Sequence, residues 1–336
     1  MIENLPLVSI IIPSRNEEKF IERCLNSLIH QDYPKEKMEL LVVDGMSEDK
    51  TREIILHLKS KIVKPEIKLL DNPKKFTNFA FNLGIKEAKG EIIMLAGAHA
   101  TYEKDYVSKC VQYLREQNAD CVGGIMVTLP RENSLISKAI AKALSHWFGV
   151  GGSIFRKGVK KVKEVDTVFS GCYKKEVFEK LGGFNENLLK GQDFEFNKRL
   201  KKSGGKILLI PETKSYYFAR SKLNWQFIKY YFWEGFWAIY PIKFAGKSFF
   251  SFWRFIPFFF VFSLFFCGIF SFFSQFFKFL FFGIVFLYLL FDFLASLEIS
   301  LKEKDFRYCF ILPIIFPAIH IPYGIGSGWG VLSLIK

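Results

Sequence analysis

The chain has 336 residues, about two domains by length, and half of them are hydrophobic, which excludes a disordered chain. Forty are phenylalanine, and 21 of these fall between Phe249 and Phe293, so apolar material is concentrated in the C-terminal part. Of the net charge of +14, residues 1–240 carry 39 basic against 29 acidic groups and the rest eight against four. Such an excess suits nucleic acid or an anionic inner leaflet, and the Phe-rich tail favours the leaflet over nucleic acid.

The six cysteines (Cys24, Cys110, Cys121, Cys172, Cys267 and Cys309) form no CxxC pair. Neither a zinc site nor a disulfide framework is indicated, and reduced cytosolic thiols are expected. Residues 1–7 offer no basic and apolar leader, so the N-terminal part is expected to stay in the cytoplasm.

Four short apolar runs, residues 8–12, 40–43, 67–70 and 92–95, alternate with segments of helical period. The first such segment, residues 17–29, sets Phe20, Cys24, Leu25 and Leu28 on one face. Four strands joined by three helical crossovers predict an α/β domain with a mostly parallel sheet. Ligands on such sheets bind at the carboxyl ends of the strands. There the first strand is followed by Pro13-Ser14-Arg15-Asn16-Glu17, and the second by Asp44-Gly45-Met46-Ser47-Glu48-Asp49. A carboxylate such as Asp44 can accept a base N–H and Arg15 can meet base or phosphate. The plainer alternative makes Asp44 the cap of a helix starting near Asp49 and Arg15 a surface charge.

Farther along, residues 149–152 are glycine-rich but lack a GxxxxGK[ST] frame, so they are no P-loop. They read as an acceptor-side loop followed by Arg156, Lys157, Lys160, Lys161 and Lys163, which suit lipid phosphate. Residues 225–240 mix Trp, Tyr and Phe with Lys229 and Glu234, as in a helix lying in a membrane interface or packed on a domain. Three hydrophobic runs follow at about 256–273, 276–296 and 308–325, each near the ~20 residues that cross a bilayer. Lys278 and Asp292 lie near the ends of the second, where snorkelling is expected. The third holds Pro313, Pro317 and Pro322, so it either spans or re-enters. Lys243, Lys247 and Arg254 before the first run, with Lys302, Lys304 and Arg307 after the second, place both flanks in the cytoplasm. Lys336 would then lie outside. The expected organisation is a cytoplasmic domain over 1–220, an interfacial segment over 221–250 and a multi-pass region of the cell membrane over 251–336.

SIIIPSRNEEKFIERCLNSLIHQDYP followed by ELLVVDGMSEDKT resembles the opening of family 2 glycosyltransferases with the GT-A fold. The likeness continues through Asn72-Pro73, Phe81-Asn82-Leu83-Gly84 and Lys89-Gly90-Glu91. In VDTVFSGCYKKEVFEKLGGFNENL and GQDFEFNKRL it resembles the membrane-attached subgroup of the succinoglycan-biosynthesis type. His320 within HIPYGIG is similar to that subgroup's last membrane segment. The resemblance implies a nucleotide-diphosphosugar transferase domain, with Pro13, Arg15, Glu17, Asp44 and Ser47 at nucleotide-binding positions. It implies an inverting transfer from a UDP- or GDP-linked sugar to a lipid-linked glycan, a polysaccharide or a polyprenyl phosphate. Alternatives kept open are a polyprenyl-phosphate sugar synthase and a silent nucleotide- or glycan-binding scaffold.

By the same resemblance the general base is Asp193, with Glu195 as rival and Gln192 where many members carry Glu. As a plain helix signal, Asp193 is an N-cap. Arg220 and Gln226 match positions near the diphosphate, Arg220 being otherwise a cationic anchor at the membrane. The family's Asp-x-Asp or Asp-x-His metal motif reads Gly97-Ala98-His99 here, so the usual Asp is Gly97 and His99 remains as ligand. A divalent ion using one imidazole is expected to be Mn²⁺ rather than Mg²⁺. Metal-free neutralisation by basic residues and loss of activity are the competing readings.

Overall fold

The computed structural model describes residues 4–245 and 252–335, so Lys247, Lys336 and the stretch 246–251 lie outside the described residues. The chain divides into two compact units, residues 1–127 with 154–217, and residues 128–153 with 218–336. The boundary expected at 220 thus falls at Tyr217 and Phe218, and residues 128–153 pack with the C-terminal helices.

In the first unit, β1 (Val8–Ser14), β2 (Met38–Asp44), β3 (Glu66–Asp71) and β4 (Ile92–Leu95) are the four apolar runs. Between them lie α1 (Ile21–Ile29), α2 (Thr51–Lys61) and α3 (Thr77–Glu87). β1, β2 and β4 are mostly apolar on both faces because both are covered, whereas β3 at the sheet edge carries the half-buried Lys68. Ile10, Ile12, Leu40 and Val42 pack with Leu25, Leu28 and Ile55 on one side. Ile11, Leu41 and Val43 pack with Ala80 and Phe81 on the other.

β1 pairs in parallel with β2 and β4, and β2 with β3. The chain then continues through β5 (Ala100–Tyr102), α4 (Tyr106–Glu116), β6 (Cys121–Pro130), α5 (Leu135–Ala143), α6 (Trp147–Val150), α7 (Ile154–Lys157), β7 (Lys163–Glu164), β8 (Cys172–Lys174), α8 (Lys175–Leu181), α9 (Gln192–Lys202) and β9 (Ile207–Ala219). The sheet order is β3-β2-β1-β4-β8-β6-β9-β5, with β7 on β9. Beyond β4 the ladders are antiparallel, so the parallel expectation holds for β1–β4 and the sheet is mixed. The later strands escaped notice because β5, β7 and β8 have two or three residues and β9 carries Glu212, Lys214 and Ser215.

The second unit holds α10 (Trp225–Ile239), α11 (Ile242–Ala245), α12 (Phe252–Phe270), α13 (Gln275–Glu303) and α14 (Tyr308–Ile335). The last three are long and apolar enough to cross a membrane. Two of them run past their expected ends, and α14 is one continuous helix through its three prolines rather than a broken one. Because α13 continues to Glu303, Asp292 lies about 16 Å before its end. It is 1% exposed, with Ser296 Oγ donating to its Oδ1 at 3.3 Å, and so does not snorkel as expected.

α5 and α6 join this unit through Lys142–Glu303 at 2.6 Å and His146–Glu298 at 3.1 Å. The Phe148 ring sits edge-on to Phe316 and His320. α10 packs along α14 at backbone distance. A Cβ built on Gly326 would collide with the Phe232 carbonyl oxygen, and one on Gly235 with that of Tyr323. A Gly326→Val change is therefore expected to cost about 1–3 kcal/mol by overpacking, read as a lower melting midpoint in detergent. Gly283→Ala, at a position open to 4 Å on α13, should leave the midpoint in place.

Candidate active site

Register fixes the site. Ser14 lies opposite Asp44 and Ile11 opposite Leu95, so the segments after β1, β2 and β4 leave the sheet side by side. Pro13 sits within β1 opposite Val43, and Arg15 just beyond it is exposed. Hydrogen bonds stitch these segments together. The Asn16 N–H donates to Ser47 Oγ at 2.9 Å, the Glu48 N–H to Asn16 Oδ1 at 2.9 Å, and the Glu17 N–H to Thr51 Oγ1 at 2.7 Å.

Asp44 is fully buried, which an ionised carboxylate tolerates only with donors around it. Ser47 Oγ donates to Oδ1 at 2.5 Å, while the Ser47 N–H at 3.0 Å and Arg52 Nη1 at 2.8 Å donate to Oδ2. Arg52 also reaches Asp71 Oδ1 at 2.7 Å. Hydrogen bonds from Arg52 to Asp44 and then Asp71 raise its guanidinium above the ordinary range. Asp49, rather than Asp44, accepts the Thr51 N–H at the start of α2, at 3.0 Å. Burial pushes the Asp49 carboxyl up, but bonds from the Thr51 hydroxyl and amide and from the Glu18 amide outweigh it and hold the group below its usual value. Sequence reasoning missed Arg52, although a cation in a first helical turn is placed against the dipole and so points to a carboxylate partner.

His99 follows β4. Its Nδ1 lies 2.9 Å from Glu17 Oε1, and its ring meets the Tyr217 ring edge-on at 5.0 Å. The Arg156 guanidinium stands over the Tyr217 ring, 5.5 Å from its centroid. At Gly97 a Cβ would lie 3.3 Å from Phe169 Cζ, so a side chain in the place of the family's first acidic ligand needs that ring to give by a few tenths of an ångström. The Gly97 N–H donates to Tyr102 Oη at 2.8 Å. Among the described residues no three His, Cys, Asp or Glu side chains gather to hold a metal ion. The residues do fit an ion that takes one imidazole from the protein and keeps water and substrate oxygens, because the second nitrogen of His99 is already bound to a carboxylate.

On α9 the N-cap is Gly191 in the left-handed region, φ 74°, and not Asp193. Asp193 lies two residues past that cap, in the first turn, and is exposed. Gln192 Oε1 is buried and accepts no hydrogen bond. Glu195, the rival base, is 6% exposed and faces Arg199 with both oxygens, at 2.7 and 3.0 Å. Arg199 in turn donates to the Leu181 and Gly183 carbonyls. Among the described residues no hydrogen bond or ion pair joins Asp193 to the Asp44–His99 cluster.

Arg220 and Gln226 belong to the second unit and are exposed. The Arg220 guanidinium lies 4.3 Å from the Tyr230 ring centroid, and Gln226 is the second residue of α10, behind the Asn224 cap. Lys157, Lys160, Lys161 and Lys163 form an exposed basic run in the first unit.

The family model described as glycosyl transferase family 2 matches residues 9–182. The chain is 40% identical over 228 residues to a Methanococcus voltae protein named dolichyl N-acetyl-alpha-D-glucosaminyl phosphate 3-beta-D-2,3-diacetamido-2,3-dideoxy-beta-D-glucuronosyltransferase, covering 66% of this chain and 70% of that one. It is 31% identical over 226 residues to the succinoglycan biosynthesis protein ExoA of Rhizobium meliloti, covering 66% and 67%. In fold it is similar to the mannosyltransferase PcManGT of Pyrobaculum calidifontis, solved with GDP-Man and Mn²⁺, at a TM-score of 0.59 and 15% identity over 98% of this chain and 88% of that one. It is also similar to S. aureus TarS 1–349 in complex with UDP, at a TM-score of 0.51 and 18% identity over 69% and 65%. The chain belongs to glycosyl transferase family 2 and is a glycosyltransferase with a GT-A-like fold, followed by three long apolar helices that can cross a membrane.

Proposed function

We propose that the protein moves a sugar from a UDP- or GDP-linked donor to a hydroxyl of a lipid-linked glycan at the cytoplasmic face of the cell membrane, with inversion at the anomeric carbon. The observation that carries this reading is the contrast on α9, where Asp193 is exposed in the first turn while Glu195 is buried and bound to Arg199. Residues 1–220 are assigned to catalysis, 221–250 to the membrane interface and 251–336 to the bilayer.

In this reading Asp193 takes the proton of the acceptor hydroxyl as its oxygen bonds to the anomeric carbon. The bond to the nucleoside diphosphate breaks on the opposite face, and the diphosphate leaves with the electron pair. Pro13, Arg15, Glu17 and Ser47 border the nucleotide. Asp44, saturated by Ser47 and Arg52, serves it by fixing the shape of that loop. Arg220, Gln226 and Gln192 are assigned to the diphosphate and acceptor side. A divalent ion, Mn²⁺ before Mg²⁺ beside an imidazole, bound at His99 with water and diphosphate oxygens would offset the charge of the departing group. Both relatives' names support a glycan acceptor over a bare polyprenyl phosphate, one naming a dolichyl N-acetylglucosaminyl phosphate and the other succinoglycan biosynthesis.

Purified protein, offered labelled nucleotide sugars and membrane lipid extract with Mn²⁺ or EDTA, is expected to move label into the lipid fraction. Asp193→Asn should lower kcat by about 10²–10⁴, the loss expected for a general base, with nucleotide affinity kept. An insensitive mutant would point to a phosphate acceptor, and nucleotide binding without turnover of any donor would point to a scaffold.

Orientation is tested separately by single cysteines. Ser274→Cys, in the α12–α13 connection, should react with a membrane-impermeant maleimide in intact cells, and Lys304→Cys, after α13, only once the membrane is opened. The reverse pattern would overturn the cytoplasmic assignment.

A further inference from the structure

Two of the residues assigned above to different tasks meet in the structure. Glu17 follows β1 and His99 follows β4, and because those strands are neighbours the two side chains meet across 82 positions of sequence, at 2.9 Å. We propose that Glu17 is the positioning residue of His99: its carboxylate accepts the Nδ1–H, holds the imidazole in that tautomer, and leaves Nε2 as the nitrogen offered to a divalent ion. The proposal deepens the reading of His99 as metal holder and rests on it.

Each partner is held on its own side. The Glu17 N–H is bound to Thr51 Oγ1, and its carbonyl accepts the N–H groups of Phe20 and Ile21 at 2.9 Å each, so the residue is fixed between α1 and α2. The His99 ring is set against Tyr217, whose strand pairs with β5 directly after His99, Ala100 lying opposite Tyr217. The ring keeps 29% of its surface and the Glu17 side chain 17%, so both border solvent without being loose in it. Among the described residues Nε2 has no hydrogen-bond partner.

The pairing also accounts for Gly97. An aspartate there would press on Phe169, 3.3 Å from its Cβ, and the Gly97 amide is already committed to Tyr102. The carboxylate that reaches His99 is that of Glu17. Imidazole ligands commonly donate their second N–H to a carboxylate, which fixes the ring and raises its basicity.

The test uses the full chain in detergent with ¹⁵N-labelled histidine. There are five histidines, and His99→Gln assigns the signal. In spectra of the metal-free protein recorded at a pH where the ring is neutral, His99 is expected as the Nδ1–H tautomer, with Glu17→Ala moving it toward the Nε2–H form that predominates in water. In parallel, bound Mn²⁺ is counted by electron paramagnetic resonance with UDP or GDP present. Glu17→Ala should weaken Mn²⁺ binding about 10–100-fold, the usual loss for such a partner, and Glu17→Gln, which keeps an acceptor oxygen, should recover part of it. An Nε2–H signal for the neutral ring in the wild type overturns the proposal even if the variants fail to fold, as does an unchanged Mn²⁺ affinity in Glu17→Ala. If the wild type binds no Mn²⁺ with either nucleotide, the reading of His99 as metal holder falls, while the tautomer signal still decides the pairing.

Discussion

The parallel pairing of β1 with β2 on one side and β4 on the other is the constraint on which the rest depends. It sets three strand ends side by side, and each residue of the Asp44–His99 cluster follows one of them. The ends are then tied by short bonds, from Asn16 to Ser47, from Glu17 to Thr51 and from the Asn72 N–H to the Asp44 carbonyl at 2.8 Å. A slip of one residue would carry Asp44 away from Ser14 and exchange the two buried faces. Both faces are packed with aliphatic side chains, so the register is strongly specified.

Burial sorts the carboxylates of this unit by role. A buried charge needs partners, and once it has them it is no longer available for other work. Glu39 is 3% exposed and accepts from Ser9 Oγ and the Lys89 N–H. Asp44 holds Ser47 and Arg52, and Glu195 holds Arg199. These three carry structure. Asp193 sits exposed in the first turn of α9. It is the acid on α9 that the proposed reaction uses, although its sequence neighbour looked equivalent.

The sequence made some of this legible and hid the rest for physical reasons. The runs that became β1–β4 were readable because strands covered on both faces are continuously apolar. β5, β8 and β9 were not, since short or polar-interrupted strands gain their identity from pairing partners far away in the chain. Asp193, Asp44 and His99 were singled out through motif order, whereas Arg52 and the Glu17–His99 pair depend on which strands adjoin. No local pattern carries that information. The placement of residues 128–153 was equally hidden, because their anchors are ion pairs and ring contacts to residues about 150 positions later, such as Glu298 and Phe316.

Helix α14 shows how the same letters read differently in an apolar setting. Three prolines predict breaks in water, since each removes a hydrogen bond and crowds the preceding turn. Here the helix continues through all three. Between apolar helices the hydrophobic effect contributes little, and close van der Waals approach with interhelical polar contacts holds the pieces together. The glycines supply the approach, as Gly326 lies against the Phe232 carbonyl and Gly235 against that of Tyr323. Polar contacts are present too, with Ser327 Oγ donating to the Gly235 carbonyl at 3.1 Å and Tyr288 bonded to His320 at 3.0 Å. Tyr288, Asp292, Ser296 and Ser300 recur every fourth residue along α13, so they share one face, and the last three are buried. A helix that turns a polar stripe inward and phenylalanines outward is built for a surrounding as apolar as itself, which is why its pattern looked uniform when read as sequence alone.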